Sequence, residues 1–73
     1  MRRFQDRSGR PWDVIVGRES WGTLVALFVP VDGAAARQTT LSASGYNDAH
    51  QELDTLEQDA LQALLDRSVE KEG

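Results

Sequence analysis

Four stretches within residues 1–44 show the alternation of side chains on two faces that is typical of β-strands. They cover residues 3–6, 10–19, 21–31 and 37–43, and Gly9 and Gly33 lie in two of the intervening turns. Short connections join antiparallel neighbours, so the pattern predicts a four-stranded antiparallel meander in chain order. The fourth stretch, RQTTLSA, is rich in Thr and poor in bulky side chains, and we expect it at the edge of the sheet.

The first turn, DRSG, predicts a tight hairpin. Gly9 suits the left-handed position of a three-residue loop that is closed by Asp6 and Arg10. This closure places Phe4 opposite Trp12. Because aromatic pairs across strands stabilise an antiparallel ladder, the turn and the pairing predict the same register.

The third stretch, WGTLVALFVPV, is apolar on both faces. A helix packed on the sheet covers one face and leaves the other without a partner inside the chain. The face that we expect the helix to cover carries Trp12, Val14, Val16, Val25 and Leu27. The face that we expect to remain uncovered carries Ile15, Leu24 and Phe28.

Residues 46–70 have the spacing of an amphipathic helical segment, with Asn47 as the expected N-cap. The sequence TLEQ at residues 55–58 fits a capping box and predicts a break near residues 54–55. We expect a short helix over 47–53 and a main helix over 56–69, with one continuous helix as the alternative. The apolar stripe contains Tyr46, Ala49, Leu53, Leu56, Ala60 and Leu64, and Leu61, Leu65 and Val69 widen it.

These elements predict an α+β fold in which a four-stranded antiparallel meander is followed by a C-terminal helical segment packed on one face. Seventy-three residues correspond to one domain, with the meander in residues 1–44 and the helical segment in residues 46–70.

Composition limits how so small a domain can be stabilised. The chain has no Cys and one His, so neither a disulfide nor a zinc site of thiolates or several imidazoles is available. No apolar run approaches bilayer length and no apolar segment follows the basic start, so we expect a cytoplasmic protein with no membrane partner. Very good packing or self-association is what remains as a means of stabilising the domain.

No motif of this sequence predicts a catalytic, cofactor-binding or metal site. His50 lacks a nucleophile and an orienting group at enforced spacing. His50, Asp54 and Glu57 share a helical spacing but do not reach the ligand count of a specific metal site. We therefore expect a protein that is not an enzyme and needs no cofactor.

Arginines and aromatic residues in the first half suggest an alternative function, the binding of single-stranded nucleic acid. Its candidate residues are Arg10, Arg18 and Trp21. A meander followed by a helix is similar in layout to PC4-like single-strand-binding proteins. The net charge of −4 opposes this reading, since phosphate binding depends on accumulated positive charge, and we do not expect nucleic acid as a partner.

The opening FQDRSGRPWDV and the later LDTLEQDALQALLDRS resemble short uncharacterised bacterial proteins that share an F-x-D-x-x-G-x-x-W-x-V opening. Here the motif residues are Phe4, Asp6, Gly9, Trp12 and Val14. The resemblance implies a first hairpin followed by a C-terminal helix, and it implies no activity.

The surplus apolar surface predicts a small protein-interaction module that forms a homodimer, with an unidentified protein as another partner for the same surface. The candidate interface residues are Ile15, Leu24, Phe28, Leu61 and Leu65.

Overall fold

A computed structural model describes residues 2–71 of the chain. Five strands form one antiparallel sheet in the order of the sequence, and two helices lie between the fourth and the fifth strand along the chain. The elements are β1 (Arg2–Gln5), β2 (Pro11–Arg18), β3 (Leu24–Pro30), β4 (Arg37–Thr40), α1 (Tyr46–Thr55), α2 (Gln58–Asp66) and β5 (Val69–Glu70). The predicted α+β meander followed by helices is confirmed, with five strands in place of four.

The first hairpin has the predicted geometry. The amide of Asp6 donates to the carbonyl of Arg10 at 2.9 Å, and Gly9 has a φ of 90°. Phe4 pairs with Trp12 in the ladder. The left-handed region is unfavourable for residues with a Cβ atom, so the Gly at this position fixes the loop and with it the register.

The second hairpin repeats this loop and determines which face of β3 is buried. The amide of Glu19 donates to the carbonyl of Thr23 at 2.8 Å, and Gly22 has a φ of 97°. This closure pairs Arg18 with Leu24, and the ladder continues to the pair of Val14 with Phe28.

The predicted orientation of β3 is therefore wrong. Val25 and Leu27 lie on the uncovered face together with Ile15, because residues that pair across strands share a face. Leu24 and Phe28 lie beneath the helices and are buried. A shift by one residue exchanges every side chain between the two faces, and a strand that is apolar on both faces does not itself choose between them.

The core lies between the inner face of the sheet and the two helices. Phe28 is fully buried at its centre, and the rings of Phe4 and Trp12 pack edge-on against it with centroids 6.2 and 6.3 Å away. The helices contribute Ala49, Leu53, Leu61, Leu64 and Leu65 to the same cluster. Offset or edge-on aromatic packing adds stability beyond the burial of apolar area.

The helical segment is broken, as predicted, but its ends differ from the prediction. The N-cap of α1 is Gly45, and the N-cap of α2 is Glu57, neither with a side-chain capping bond. The hydroxyl of Thr55 donates back to the carbonyls of Gln51 and Glu52. Asn47 and the predicted capping box therefore do not act as caps, and the break lies at residues 56–57.

The chain leaves the helical conformation after α2 sooner than predicted and forms β5. Val69 pairs with Gln38, and Glu70 pairs with Arg37. β4 is therefore an internal strand, and the prediction that it lies at the edge of the sheet is wrong. The edges are formed by β1 and β5. Among the described residues, neither helix is long and apolar enough to cross a membrane.

Candidate functional site

The face of the sheet that the helices leave uncovered is the main apolar surface of this chain, and we call it the open face. Register places on it Asp13, Ile15, Gly17, Val25, Leu27, Val29, Gln38, Thr40 and Val69. The side chain of Val29 is 39% exposed and that of Val69 is 61% exposed. Ile15 and Leu27 are half-buried and Val25 is buried, so Val29 and Val69 are the apolar side chains of this face that are most open to a partner.

A glycine makes the centre of the open face flat. A Cβ atom at Gly17 would lie 2.7 Å from Cδ1 of Leu27 and 3.3 Å from Cγ2 of Val25. Leu27 therefore lies across the strand over Gly17 and fills the space that a larger residue would need. A flat apolar surface suits contact with another flat surface, since packing density at interfaces approaches that of protein interiors.

A cavity of about 570 Å³ opens at one end of the open face. It lies beside the β2–β3 loop, where the indole of Trp21 is 75% exposed. Trp21 itself, Val25 and Val69 supply its apolar lining. The remaining lining residues are Glu19, Thr23, Gln38, Thr39, Thr40 and Arg67.

Charged groups of both signs lie at the rim of this cavity. Glu19 accepts a hydrogen bond of 2.8 Å from the side-chain amide of Gln38. Arg67 donates to the hydroxyl of Thr39 at 3.3 Å and to the carbonyl of Thr40 at 3.5 Å. These two bonds are long, so the guanidinium of Arg67 keeps most of its capacity to bind a carboxylate.

The opposite border of the open face is also charged. Arg3 and Asp13 form an ion pair with a distance of 2.6 Å between Nε and Oδ1. The open face thus has an apolar centre between charged borders, an arrangement that is common in protein interfaces.

The two carboxylates with clearly shifted pKa values lie away from this face. Each accepts hydrogen bonds from the backbone of the turn that contains it. Asp6 accepts hydrogen bonds from the indole of Trp12, from the amide and hydroxyl of Ser8 and from the amide of Arg10. The bond from Trp12 is the largest cause that lowers the pKa of Asp6 from 3.8 to about 2. The hydrogen bond from Arg10 holds the pKa of Asp32 below its usual range.

The predicted interface residues do not lie together on one surface. Ile15 lies half-buried on the open face. Leu24, Phe28, Leu61 and Leu65 are buried in the core, where no partner can reach them in this fold. The accessible apolar residues of the open face are instead Val29 and Val69, with Trp21 in the adjoining loop.

The structure also separates the three candidate residues for nucleic-acid binding. Arg10 lies over the ring of Trp12 and forms an ion pair with Asp32. Arg18 lies over the ring of Tyr46. Arg10 directly precedes β2 and Arg18 is the last residue of β2, so the two arginines are separated by about 26 Å along the strand. Trp21 alone of the three is free to contact a ligand.

His50 is exposed in the first half of α1, and its ring stacks on the ring of Tyr46 with centroids 6.1 Å apart. Asp54 lies on the same helix, and the break places Glu57 outside it. Within residues 2–71 no three side chains of His, Asp or Glu lie close enough together to hold a metal ion.

Comparison of this chain with protein family models, curated proteins and solved structures gives no match. Sequence reasoning missed the cavity and the role of Val29 and Val69. The missed signal is the sequence ESWGT, residues 19–23, which has a glycine at the same loop position as DRSGR at residues 6–10. Applied to both loops, the same turn rule gives the orientation of β3.

Proposed function

We propose that this protein is a small, non-catalytic interaction module that forms a two-fold homodimer through the open face. The observation that carries this proposal is the apolar centre of a sheet face, formed by Ile15, Leu27 and Val29, that no element of the described chain covers. One helical layer covers one face of the sheet, and the apolar side chains of the other face are left available to a second molecule.

The dimensions of the open face suit a second copy of the chain. Five strands at about 4.8 Å spacing, the longest about 26 Å long, give at most roughly 500 Å² per protomer. Two such faces bury up to about 1,000 Å² together, which is the lower limit of specific interfaces. A two-fold axis uses the same patch twice and is the commonest symmetry of soluble oligomers.

The positions of the perturbed carboxylates support a non-catalytic role. The pKa values of Asp6 and Asp32 are lowered chiefly by hydrogen bonds that hold the fold together, from the indole of Trp12 to Asp6 and from the guanidinium of Arg10 to Asp32. Neither residue lines the cavity beside Trp21. A catalytic site typically places its perturbed groups in a cleft beside a reacting centre.

Light scattering after size exclusion tests the proposal. We expect a mass near 8.1 kDa at low concentration and twice that mass at high micromolar concentration. The substitution Val29→Glu places a carboxylate on the exposed apolar part of the open face, directly across the ladder from Asp13, and should weaken dimerisation at least tenfold, equivalent to about 1.4 kcal/mol or more.

The matched control is Ala63→Glu, which adds the same side chain at an exposed position of α2, on the other side of the molecule. This variant should dimerise as the unchanged protein does. A protein that stays monomeric at high micromolar concentration would overturn the proposal, as would equal effects of the two substitutions.

A further inference from the structure

We propose that Trp21 of each protomer inserts into the cavity at the end of the partner's open face, so that each copy supplies one aromatic anchor and one receptor site. This inference rests on the homodimer proposed above and specifies how its two copies bind each other. Its basis is the position of an exposed indole directly beside a cavity on the same face.

The β2–β3 loop holds Trp21 in a defined position. Two backbone bonds of 2.8 Å close the loop, from the amide of Glu19 to the carbonyl of Thr23 and from the amide of Gly22 to the carbonyl of Glu19. The loop is therefore ordered before binding, while the indole at its tip remains 75% exposed. Rigid, exposed aromatic side chains are the residues that most often anchor protein interfaces.

The cavity is an open groove large enough to admit an indole, and Trp21 of the same protomer forms part of its wall. Its volume of about 570 Å³ falls within the range of sites that hold small organic ligands. Val25 and Val69 provide apolar contact, and the hydroxyls of Thr23 and Thr40 and the carboxylate of Glu19 lie among the lining groups that can accept the indole N–H. Because Trp21 borders the cavity of its own protomer, a two-fold axis nearby makes the insertion reciprocal.

Charge at the rim favours a second copy as the occupant. Glu19 and Arg67 both line the cavity, so the site presents both signs. A two-fold axis places this surface against the same surface of the second copy, so that Glu19 of one protomer can lie against Arg67 of the other. The long bonds from Arg67 to Thr39 and Thr40 leave its guanidinium available for this pairing.

The area of the interface supports the same arrangement. The flat part of the open face reaches only about 1,000 Å² for two copies, at the lower limit of specific interfaces. A buried tryptophan adds about 150–250 Å². Two inserted indoles therefore raise the total to roughly 1,300–1,500 Å², within the usual range.

Iodide quenching of tryptophan fluorescence tests this inference. It is measured on the unmodified protein over the same range of concentrations as the mass. The chain has two tryptophans, and Trp12 is shielded in the core at 3% exposure, so quenching reports on Trp21. We expect quenching to fall severalfold, and the emission to shift to shorter wavelength, over the concentration range in which the mass doubles.

The substitution Trp21→Ala should weaken dimerisation at least tenfold without changing the circular dichroism spectrum, because the side chain makes little contact within its own protomer. Ser20→Ala, in the same loop, is the control and should leave dimerisation unchanged. A dimer in which Trp21 stays fully quenchable would overturn this inference and leave the homodimer itself standing. A monomer at all concentrations would overturn both.

Discussion

Asp6 shows how one side chain organises a local structure. Its carboxylate accepts hydrogen bonds from the backbone of the loop and from the indole of Trp12, so it joins the turn to the buried aromatic residue beyond it. A charged acceptor with several donors favours its ionised form, which is why the pKa of Asp6 is lowered to about 2. The motif residues Asp6, Gly9 and Trp12 therefore form one structural unit.

The linkage between protonation and folding gives a prediction for Asp6. Since its pKa is lower in the folded state than the ordinary value of 3.8, its contribution to stability is present above pH 4 and is lost as the pH falls towards 2. Asp6→Asn should lower the free energy of unfolding at pH 7 by about 1 kcal/mol, the partial exposure of the carboxyl reducing the effect. Urea unfolding at pH 7, 4 and 2 should show the difference from the unmodified protein shrinking towards pH 2.

The control for this prediction is Asp54→Asn, at an exposed position near the end of α1. It removes the same charge outside the first hairpin and should change the free energy of unfolding at pH 7 by less than about 0.5 kcal/mol. A difference between Asp6→Asn and the unmodified protein that stays constant from pH 7 to pH 2 would contradict the account given of the Asp6 carboxylate.

At the scale of elements, β4 is joined to the end of α2 and to β5 through Arg37. Its guanidinium donates to the hydroxyl of Ser68 at 2.9 Å and to the carbonyl of Ser68 at 2.6 Å. The hydroxyl of Ser68 in turn donates to the carbonyl of Leu65 in the last turn of the helix. These bonds add a donor to the carbonyl of Leu65 at the end of the helix and tie the residue that precedes β5 to β4.

Arg37→Ala should therefore loosen β5 without unfolding the sheet. The amide of Lys71, which donates to the carbonyl of Ala36 at 2.8 Å, should exchange its hydrogen at least tenfold faster. Global stability should fall by about 1–2 kcal/mol, because a half-buried carbonyl loses a charged donor.

Arg3→Ala is the matched control, since it removes an arginine from an exposed ion pair with Asp13 on β1. Exposed ion pairs contribute little, so this variant should change stability by less than about 1 kcal/mol and leave exchange at Lys71 as it was. Equal effects of the two substitutions on Lys71 would show that Arg37 does not hold β5.

At the scale of the whole molecule, charge is distributed unevenly along the chain. Residues 1–37 carry six arginines against four acidic residues, and residues 38–73 carry two basic residues against eight acidic ones. The structure places Arg10 and Arg18 at the two ends of β2 and engages both with aromatic rings. Beside Trp21 the cavity holds Arg67 together with the carboxylate of Glu19, so the two charges offset one another and do not form the positive groove that a single strand would need.

Binding of single-stranded DNA should consequently be absent at near-physiological salt. A fluorescently labelled oligonucleotide should show no saturable change in anisotropy with micromolar protein, because the net charge of −4 repels phosphates. Micromolar affinity that falls steeply with added salt would favour the alternative function instead.

The sequence by itself determined the first hairpin, the presence of a meander followed by a C-terminal helical segment, and the burial of Trp12 on the inner face of the sheet. Each of these follows from local chemistry. Gly9 adopts the left-handed conformation that the three-residue loop requires, and closure of this loop pairs Phe4 with Trp12. The spacing of apolar residues in the last third favours helices. Local signals of this kind act within a few residues and do not depend on distant parts of the chain.

Tertiary structure decided the formation of β5 and its contribution to the open face, whereas the orientation of β3 was set by the β2–β3 loop. β3 is apolar on both faces, so its alternation did not distinguish Phe28 in the core from Leu27 on the surface; the closure at Glu19 and Thr23 did. β5 depends on Arg37, which lies 31 residues before Ser68 in the chain. The physical reasons differ. The orientation of β3 follows from a loop closure over four residues, whose signal lies in the sequence ESWGT, whereas β5 forms through contacts between residues far apart in the sequence, which select among local conformations of similar free energy.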